Sequence, residues 1–261
     1  MNYHISASTD VGIRKSVNQD SLFARALRID STPIAFAAVC DGMGGYALGE
    51  VASASVINAL TQWMQTPENW FENGSVNFKA VESQWTDIVR SQNSKIRQYS
   101  AQKGVKAGTT ATVFLSSNHN HIVMSVGDTR AYEISNDRVR QISKDQTYVQ
   151  REVDLGHISP QEARTHPKQN VLLQCIGILE NVVINFWSEP TLFNSVYMLC
   201  SDGFRHVVTE NELLSHLHPS KMTGPDTMQA GQNRLIDLNK ARGERDNISV
   251  LTIKPYLYGG E

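Results

Sequence analysis

The sequence predicts an α+β chain in which antiparallel sheets pack together with helices on the outside. Three observations predict it. Apolar runs of strand length recur along the chain, several of them rich in β-branched and aromatic residues. Two long amphipathic stretches stand next to each other between strand groups. The order also lacks the strict strand–helix alternation that builds a parallel sheet. The strand runs are residues 3–8, 21–29, 34–40, 110–115, 121–126, 130–134, 182–187, 196–200 and 248–253. Asn136-Asp137 suits a tight turn between two of them. In the first helical stretch, residues 47–65, Leu48, Val51, Ala52, Ser55, Ala59, Leu60 and Trp63 fall on one face, and Pro67 ends the run. In the second, residues 77–103, Phe78, Val81, Trp85, Ile88, Ile96 and Tyr99 do the same, and Gly104 stops it. A third helical run, residues 225–242, precedes the last strand. Ser159 with Glu162 and Thr209 with Glu212 are capping-box signals for short helices.

No repeat, low-complexity block or Pro/Gly-rich linker divides the 261 residues, so residues 1–261 read as one domain. Acidic and basic residues nearly balance, 26 against 24, which argues against nucleic acid or a charged membrane surface as partner. The opening MNYHISASTD lacks the apolar run of a signal peptide, and no apolar stretch reaches membrane-spanning length. A cytoplasmic chain is the expectation. Cys40, Cys175 and Cys200 are too few and too scattered for a disulfide framework or a zinc site. His119 and His121 read as surface polarity beside a hairpin, not as a ligand pair.

The chemistry lies in where the aspartates stand. Asp20 comes just before the strand that starts at Ser21. Asp41 directly follows the run IAFAAVC. Asp128 lies between two strand runs in VGDTRAY, Asp202 follows VYMLC in CSDGF, and Asp246 precedes the last strand in RDNISVLTI. A layered sheet can gather five strand-end carboxylates at one edge. Two carboxylates about 4 Å apart repel by about 4 kcal/mol at an intermediate effective dielectric, so such a cluster needs cations. All-oxygen ligands without His or Cys select hard ions such as magnesium or manganese. Gly42, Gly127 and Gly203 beside these acids let backbone come close to an ion, and the Gly42 carbonyl is itself a candidate ligand. Against this, a lone Asp at a strand end is more often a turn former or helix cap, as Asp10, Asp30, Asp137 and Asp145 are expected to be.

Several motifs together resemble a known family. CDGMGG (40–45), AGTTATVFL (107–115), VGDTRAY (126–132), CSDGF (200–204) and RDNISV (245–250) look like the motifs of the metal-dependent protein phosphatases, the protein phosphatase 2C family. TDVGIRKSVNQD (9–20) is similar to that family's first motif, and residues 158–172 resemble the mobile flap of its bacterial branch, within a flap-like region of about residues 146–171. The resemblance implies a four-layer α-β-β-α sandwich, two antiparallel sheets flanked by helix pairs. It implies hydrolysis of phosphoserine and phosphothreonine in proteins by a water activated between two divalent metals, with two to three Mn2+ or Mg2+ ions. Carried over by position, Asp41 bridges two ions with the Gly42 carbonyl, and Asp202 and Asp246 complete the first site. Asp20 stands beside the second, and Asp128 with Asp202 holds a third. A cytoplasmic serine/threonine kinase and its targets are the implied partners, and a monomer the implied state.

Two departures from the pattern matter. The family's phosphate-binding arginine position is Lys15 here, with Arg14 one place earlier. Lysine binds phosphate as a point charge without the bidentate fork. Met43 stands where many eukaryotic members carry a histidine acid, which leaves a water at the metal as proton donor. His166, in the flap-like segment, is read as positioning that segment.

Three other readings compete. GMGGYA (42–47) has dinucleotide-binding spacing, but its helix leads to a second helix rather than to a parallel strand. A non-catalytic phosphoprotein adaptor on the same fold would be expected to lose metal aspartates, and none is lost. A phosphoesterase acting on metabolites is separated by substrate comparison. Cysteine-phosphatase chemistry is absent, since Tyr46, Asn181 and His206, not arginine, stand six residues after the three cysteines.

Overall fold

The computed structural model describes residues 1–43 and 48–257. Residues 44–47, which end the CDGMGG motif and include the predicted first residue of the first helix, lie outside the described residues.

The chain opens with three strands, β1 (Asn2–Asp10), β2 (Asp20–Ile29) and β3 (Thr32–Met43). Helix α1 (Gly49–Trp63), a small ribbon of β4 (Phe71–Glu72) and β5 (Ser75–Val76), and helix α2 (Phe78–Lys103) follow. Next come β6 (Gly108–Thr109), β7 (Ala111–Ser117), β8 (Asn120–Val126), β9 (Arg130–Ile134) and β10 (Val139–Gln141). Two short helices, α3 (Tyr148–Asp154) and α4 (Pro160–Ala163), precede β11 (Asn185–Pro190) and β12 (Val196–Cys200). Helices α5 (Asp202–Arg205), α6 (Glu210–Leu217) and α7 (Pro225–Ala241) lead to β13 (Ile248–Tyr256).

Two antiparallel sheets form the middle of the molecule. One has the order β1-β13-β12-β9-β10, the other β11-β8-β7-β3-β2, with β6 paired to the end of β3. β3 shows why they stack. Ile34, Phe36, Ala38 and Cys40 point to a core shared with α1 and α2, and Ala35, Ala37 and Val39 to a core shared with the other sheet. All seven are wholly buried. A strand buried on both faces shows no polar alternation, which explains the unbroken run IAFAAVC. Across the sandwich, Phe114, Tyr197, Leu199, Leu251 and Ile253 fill the space between the sheets. Met198, Cys200 and Val250 face Leu213, Leu217, Met228, Leu235 and Ile236 of α6 and α7. The layers are therefore helix pair, sheet, sheet, helix pair, as the resemblance implies.

The helix ends follow local chemistry. Asn77 caps α2 by accepting from Ala80 N, and Gly104 closes it in the left-handed region. Both predicted capping boxes are present, Ser159 with Glu162 and Thr209 with Glu212.

Several sequence expectations need correction. The buried face of α1 is Ala52, Ser53, Val56, Ile57, Leu60 and Trp63, with Val51 exposed, so the predicted stripe is rotated. The strand expected at 182–187 is Asn185–Pro190, set by its pairing with β8. His121 is not surface polarity. It is fully buried between Phe114 and Tyr197, its Nδ1 is 3.2 Å from Thr191 Oγ1, and burial lowers its pKa to about 4. Cys40 and Cys200 are buried strand residues.

Candidate metal centre

The pairing of β2 with β3 sets Asp20 directly opposite Asp41. Asp20 is the first residue of β2, and β3 continues through Asp41 to Met43. Asp202 opens α5 at the end of β12, and Asp246 lies just before β13, which pairs with β12. Asp128 sits in the connection between β8 and β9. Antiparallel pairing in two stacked sheets thus brings residues from both ends of the chain to one edge.

The fields of these acids overlap. Burial pushes Asp41 well above the usual carboxylate range, and Asp20, Asp202, Asp128 and Asp246 push it further. Burial, then Asp202 and Asp246, lift Asp20 to about 7; the Ser249 and Ser201 hydroxyls offset part of this. Neither Asp20 oxygen makes a hydrogen bond of good geometry, nor does Asp202 Oδ1, and all three atoms are buried. Buried carboxylate oxygens without donors are costly unless a cation joins them. Among the described residues, no three carboxylate, imidazole or thiol groups are drawn tightly enough to hold an ion as they stand. The donor set nonetheless fits a hard divalent cation: carboxylates only, mutually repelling, with orphaned oxygens.

Gly42 has a reason beyond its carbonyl. A Cβ there would lie 2.2 Å from Gly49 O and 2.5 Å from Gln19 O, so any side chain would push β3 away from the start of α1. Gly42 N donates to Gln19 O at 3.1 Å, locking the strand end to the loop before Asp20.

That loop, residues 11–19, carries the two basic candidates. Asn247 fastens it: its Nδ2 donates to Val11 O and Val17 O, and its Oδ1 accepts from Gln19 N at 2.9 Å. Gly12 has φ +78 and lies against Asp246 O, where a Cβ would stand at 2.3 Å. The loop therefore delivers Lys15 to the acids. Lys15 Nζ is 3.0 Å from Asp246 Oδ1. Burial pulls the Lys15 pKa down, but Asp246, Asp41 and Asp202 outweigh it and hold the ammonium above its ordinary value. Arg14 is exposed and makes no ion pair among the described residues.

Sequence reading missed the charged groups behind the aspartates. His206 lies between Asp202 Oδ2, 3.4 Å from its Nε2, and Glu244 Oε2, 3.3 Å from its Nδ1. Burial disfavours its charge, but Glu244 and Asp202 raise its pKa overall. Asp145, expected to form a turn, is buried and gripped by Arg130 Nε and Nη2 at 2.8 and 2.7 Å. Asp128 accepts from Arg205 Nη2 at 3.2 Å. The available signal was an arginine two or three residues past the aspartate in VGDTRAY and CSDGFR.

The flap-like segment is tied at its root. Gln146 N donates to Gly127 O, and Gly127 N donates to Gln146 Oε1, beside Asp128. Thr147 bridges to Leu172, so both ends of the segment meet. His166 stacks on Tyr148 at 5.8 Å within it.

The acid cluster has a pH signature. A carboxyl whose folded pKa is raised holds its proton more tightly folded than unfolded. It contributes stability below the unfolded value, and that stability is lost as pH rises through the folded one. Asp20 and Asp128 lie at about 7 when folded, and Asp41 is raised as well. Metal-free protein is expected to lose melting temperature between about pH 4 and pH 7, and manganese to restore it at the upper end, where deprotonated ligands bind best. Asp145 and Glu244, whose pKa values are lowered, destabilise only on the acid side of that window. Scanning fluorimetry in chelator checks this, and a flat or rising profile contradicts it.

The fold and the acids define a class: an α-β-β-α sandwich with an all-oxygen acidic centre at one sheet edge. The sequence pattern of the family described as protein phosphatase 2C matches residues 4–152. The chain belongs to the protein phosphatase 2C family. The serine/threonine protein phosphatase PstP of Mycobacterium tuberculosis is 31% identical over 97% of this chain and 46% of its own length, so the chain spans about half of that relative. The crystal structure of M. tuberculosis PstP/Ppp superposes with a TM-score of 0.81 at 29% identity, covering 98% of this chain and 99% of that one. A crystal structure of the PstP catalytic domain in complex with two manganese ions has a TM-score of 0.77 at 29% identity, covering 97% of each chain.

Proposed function

We propose that this chain hydrolyses phosphoserine and phosphothreonine in proteins, using a pair of divalent ions held by Asp41, the Gly42 carbonyl, Asp20, Asp202 and Asp246. The observation that carries the reading is the meeting of Asp20 and Asp41 across β2 and β3, with both Asp20 oxygens buried and without hydrogen-bond partners, and with Asp202 and Asp246 facing the pair. The similarity to a phosphatase domain that binds two manganese ions supports it. Bound there, the ions supply a nucleophilic water at neutral pH and neutralise charge on the phosphoryl oxygens.

The chain's own groups do the rest. Lys15 is held beside the acids by Asp246. With Asp246 engaged by an ion, the Lys15 ammonium would be available to attract a phosphate oxygen. His206, braced by Glu244, keeps Asp202 oriented. Residues 146–171, rooted beside Asp128, are the segment proposed to meet the protein around the phosphoresidue. We read residues 1–261 as one catalytic unit, a monomer, opposing a cytoplasmic serine/threonine kinase. Among the described residues, no helix is long and apolar enough to cross a membrane.

The substrate class is tested by comparing phosphothreonine peptides with phosphorylated metabolites in manganese. A strong preference for metabolites overturns the protein-phosphatase reading. Lys15→Ala is expected to raise KM for phosphopeptide several-fold, while Arg14→Ala leaves it near wild type. The reverse ranking means that Arg14 turns inward to grip the phosphate.

A further inference from the structure

The third ion position implied by the resemblance, between Asp128 and Asp202, does not fit the residues around Asp128. Asp128 is 6% exposed. Arg205 Nη2 donates to its Oδ2 and to its backbone carbonyl, both at 3.2 Å. Arg205 is the last residue of α5, the helix that Asp202 opens, so the guanidinium arrives on the element that carries the second acid. Behind it stands Asp145, 3.5 Å from the same Nη2 and held from its other side by Arg130. Two acids and two bases face one another in this quartet, and their formal charges cancel, with Asp202 the further acid at its edge. A divalent ion at Asp128 would have to displace one guanidinium while standing close to another. With its side chain 14% exposed, Arg205 has little open water to retreat into. Buried like charges at short range repel strongly, and an unpaired buried guanidinium is costly.

We infer that Arg205 supplies the positive charge at this position, so that the chain binds two divalent ions and excludes a third. The inference rests on the paired-ion reading above and makes Arg205 a positioning residue, one that holds Asp128 beside the centre.

The test is the number of manganese ions bound per chain, counted by elemental analysis after equilibrium dialysis against saturating manganese. Wild type, Asp128→Asn and Arg205→Gln are compared. The expected counts are two, two and three. Three ions in wild type, falling to two in Asp128→Asn, overturn the inference while the paired-ion reading stands. Two ions in a folded Arg205→Gln also overturn it, because the excluding charge is then not Arg205. If Arg205→Gln fails to fold, the comparison of wild type with Asp128→Asn still decides. No ions in wild type overturns the paired-ion reading and this inference with it.

Discussion

Asp202→Ala and Asp246→Ala are each expected to lower turnover of a phosphothreonine peptide at saturating manganese by at least about a hundredfold, the scale of losing one preorganised charge-stabilising contact. The two carboxylates reach the same edge on adjacent strands, one after β12 and one before β13. A Cβ on Gly203 would lie 3.3 Å from Asp246 Cβ, which shows how close the two motifs stand. Their side effects should differ. Asp246 is the group that draws Lys15 to the acids, so Asp246→Ala also loosens the placement of that lysine and disturbs phosphopeptide KM. Asp202 is braced by His206 and not by Lys15, so its loss falls mainly on kcat. Initial rates over a range of peptide concentrations separate the two patterns. Wild-type rates in either variant would remove that residue from the centre.

Trp85→Ala is expected to destabilise the protein by about 3–5 kcal/mol, the usual cost of truncating a fully buried tryptophan. Its indole is 0% exposed and lies edge-on to Trp63 at 5.4 Å and to Phe36 at 6.2 Å. Its Nε1 has no hydrogen-bond partner, so the loss is one of packing. Trp63 also stacks on Trp70 at 4.9 Å, and truncation leaves this aromatic layer between α1, α2 and β3 with a void it cannot close. Against a total stability of about 5–15 kcal/mol this is a large fraction. Phe36 and Asp41 share β3, yet the site needs only the folded strand. Turnover per folded molecule should therefore stay close to wild type. Urea unfolding with and without manganese measures both points, and a shift below about 1 kcal/mol would mean that the layer repacks.

The two layers of strands were legible wherever a run was buried on both faces or flanked by turn residues. Residues 34–40 and 196–200 are of this kind: continuous apolar runs with glycine-bearing motifs directly after them. The face of α1 was less legible, because Ala52, Ser53 and Val56 are small and a stripe through Val51 and Ser55 fits the same period. The strand at Asn185–Pro190 depends on its partner β8, a relation that sequence spacing does not carry. The five aspartates could be read because each stands within two residues of a strand end. The groups that govern them could not. Arg205 meets Asp128 from 77 residues away, and His206 meets Glu244 only through the packing of α5 beside the last strand. His121 was misread for the same reason. Thr191 and Tyr197, which cover it, lie about 70 residues downstream. Lys15 fills the family's arginine position in the sequence, and the loop fastened by Asn247 turns it toward Asp246.

The most direct measurement is phosphate release from a phosphothreonine peptide by wild type and Asp41→Asn, in manganese, in chelator, and in chelator followed by excess manganese. Wild-type activity should vanish in chelator and return with manganese, and Asp41→Asn should remain inactive throughout while folding normally. Activity that persists in chelator, or an Asp41→Asn protein that works as well as wild type, would contradict a catalytic centre built from these acids and divalent ions.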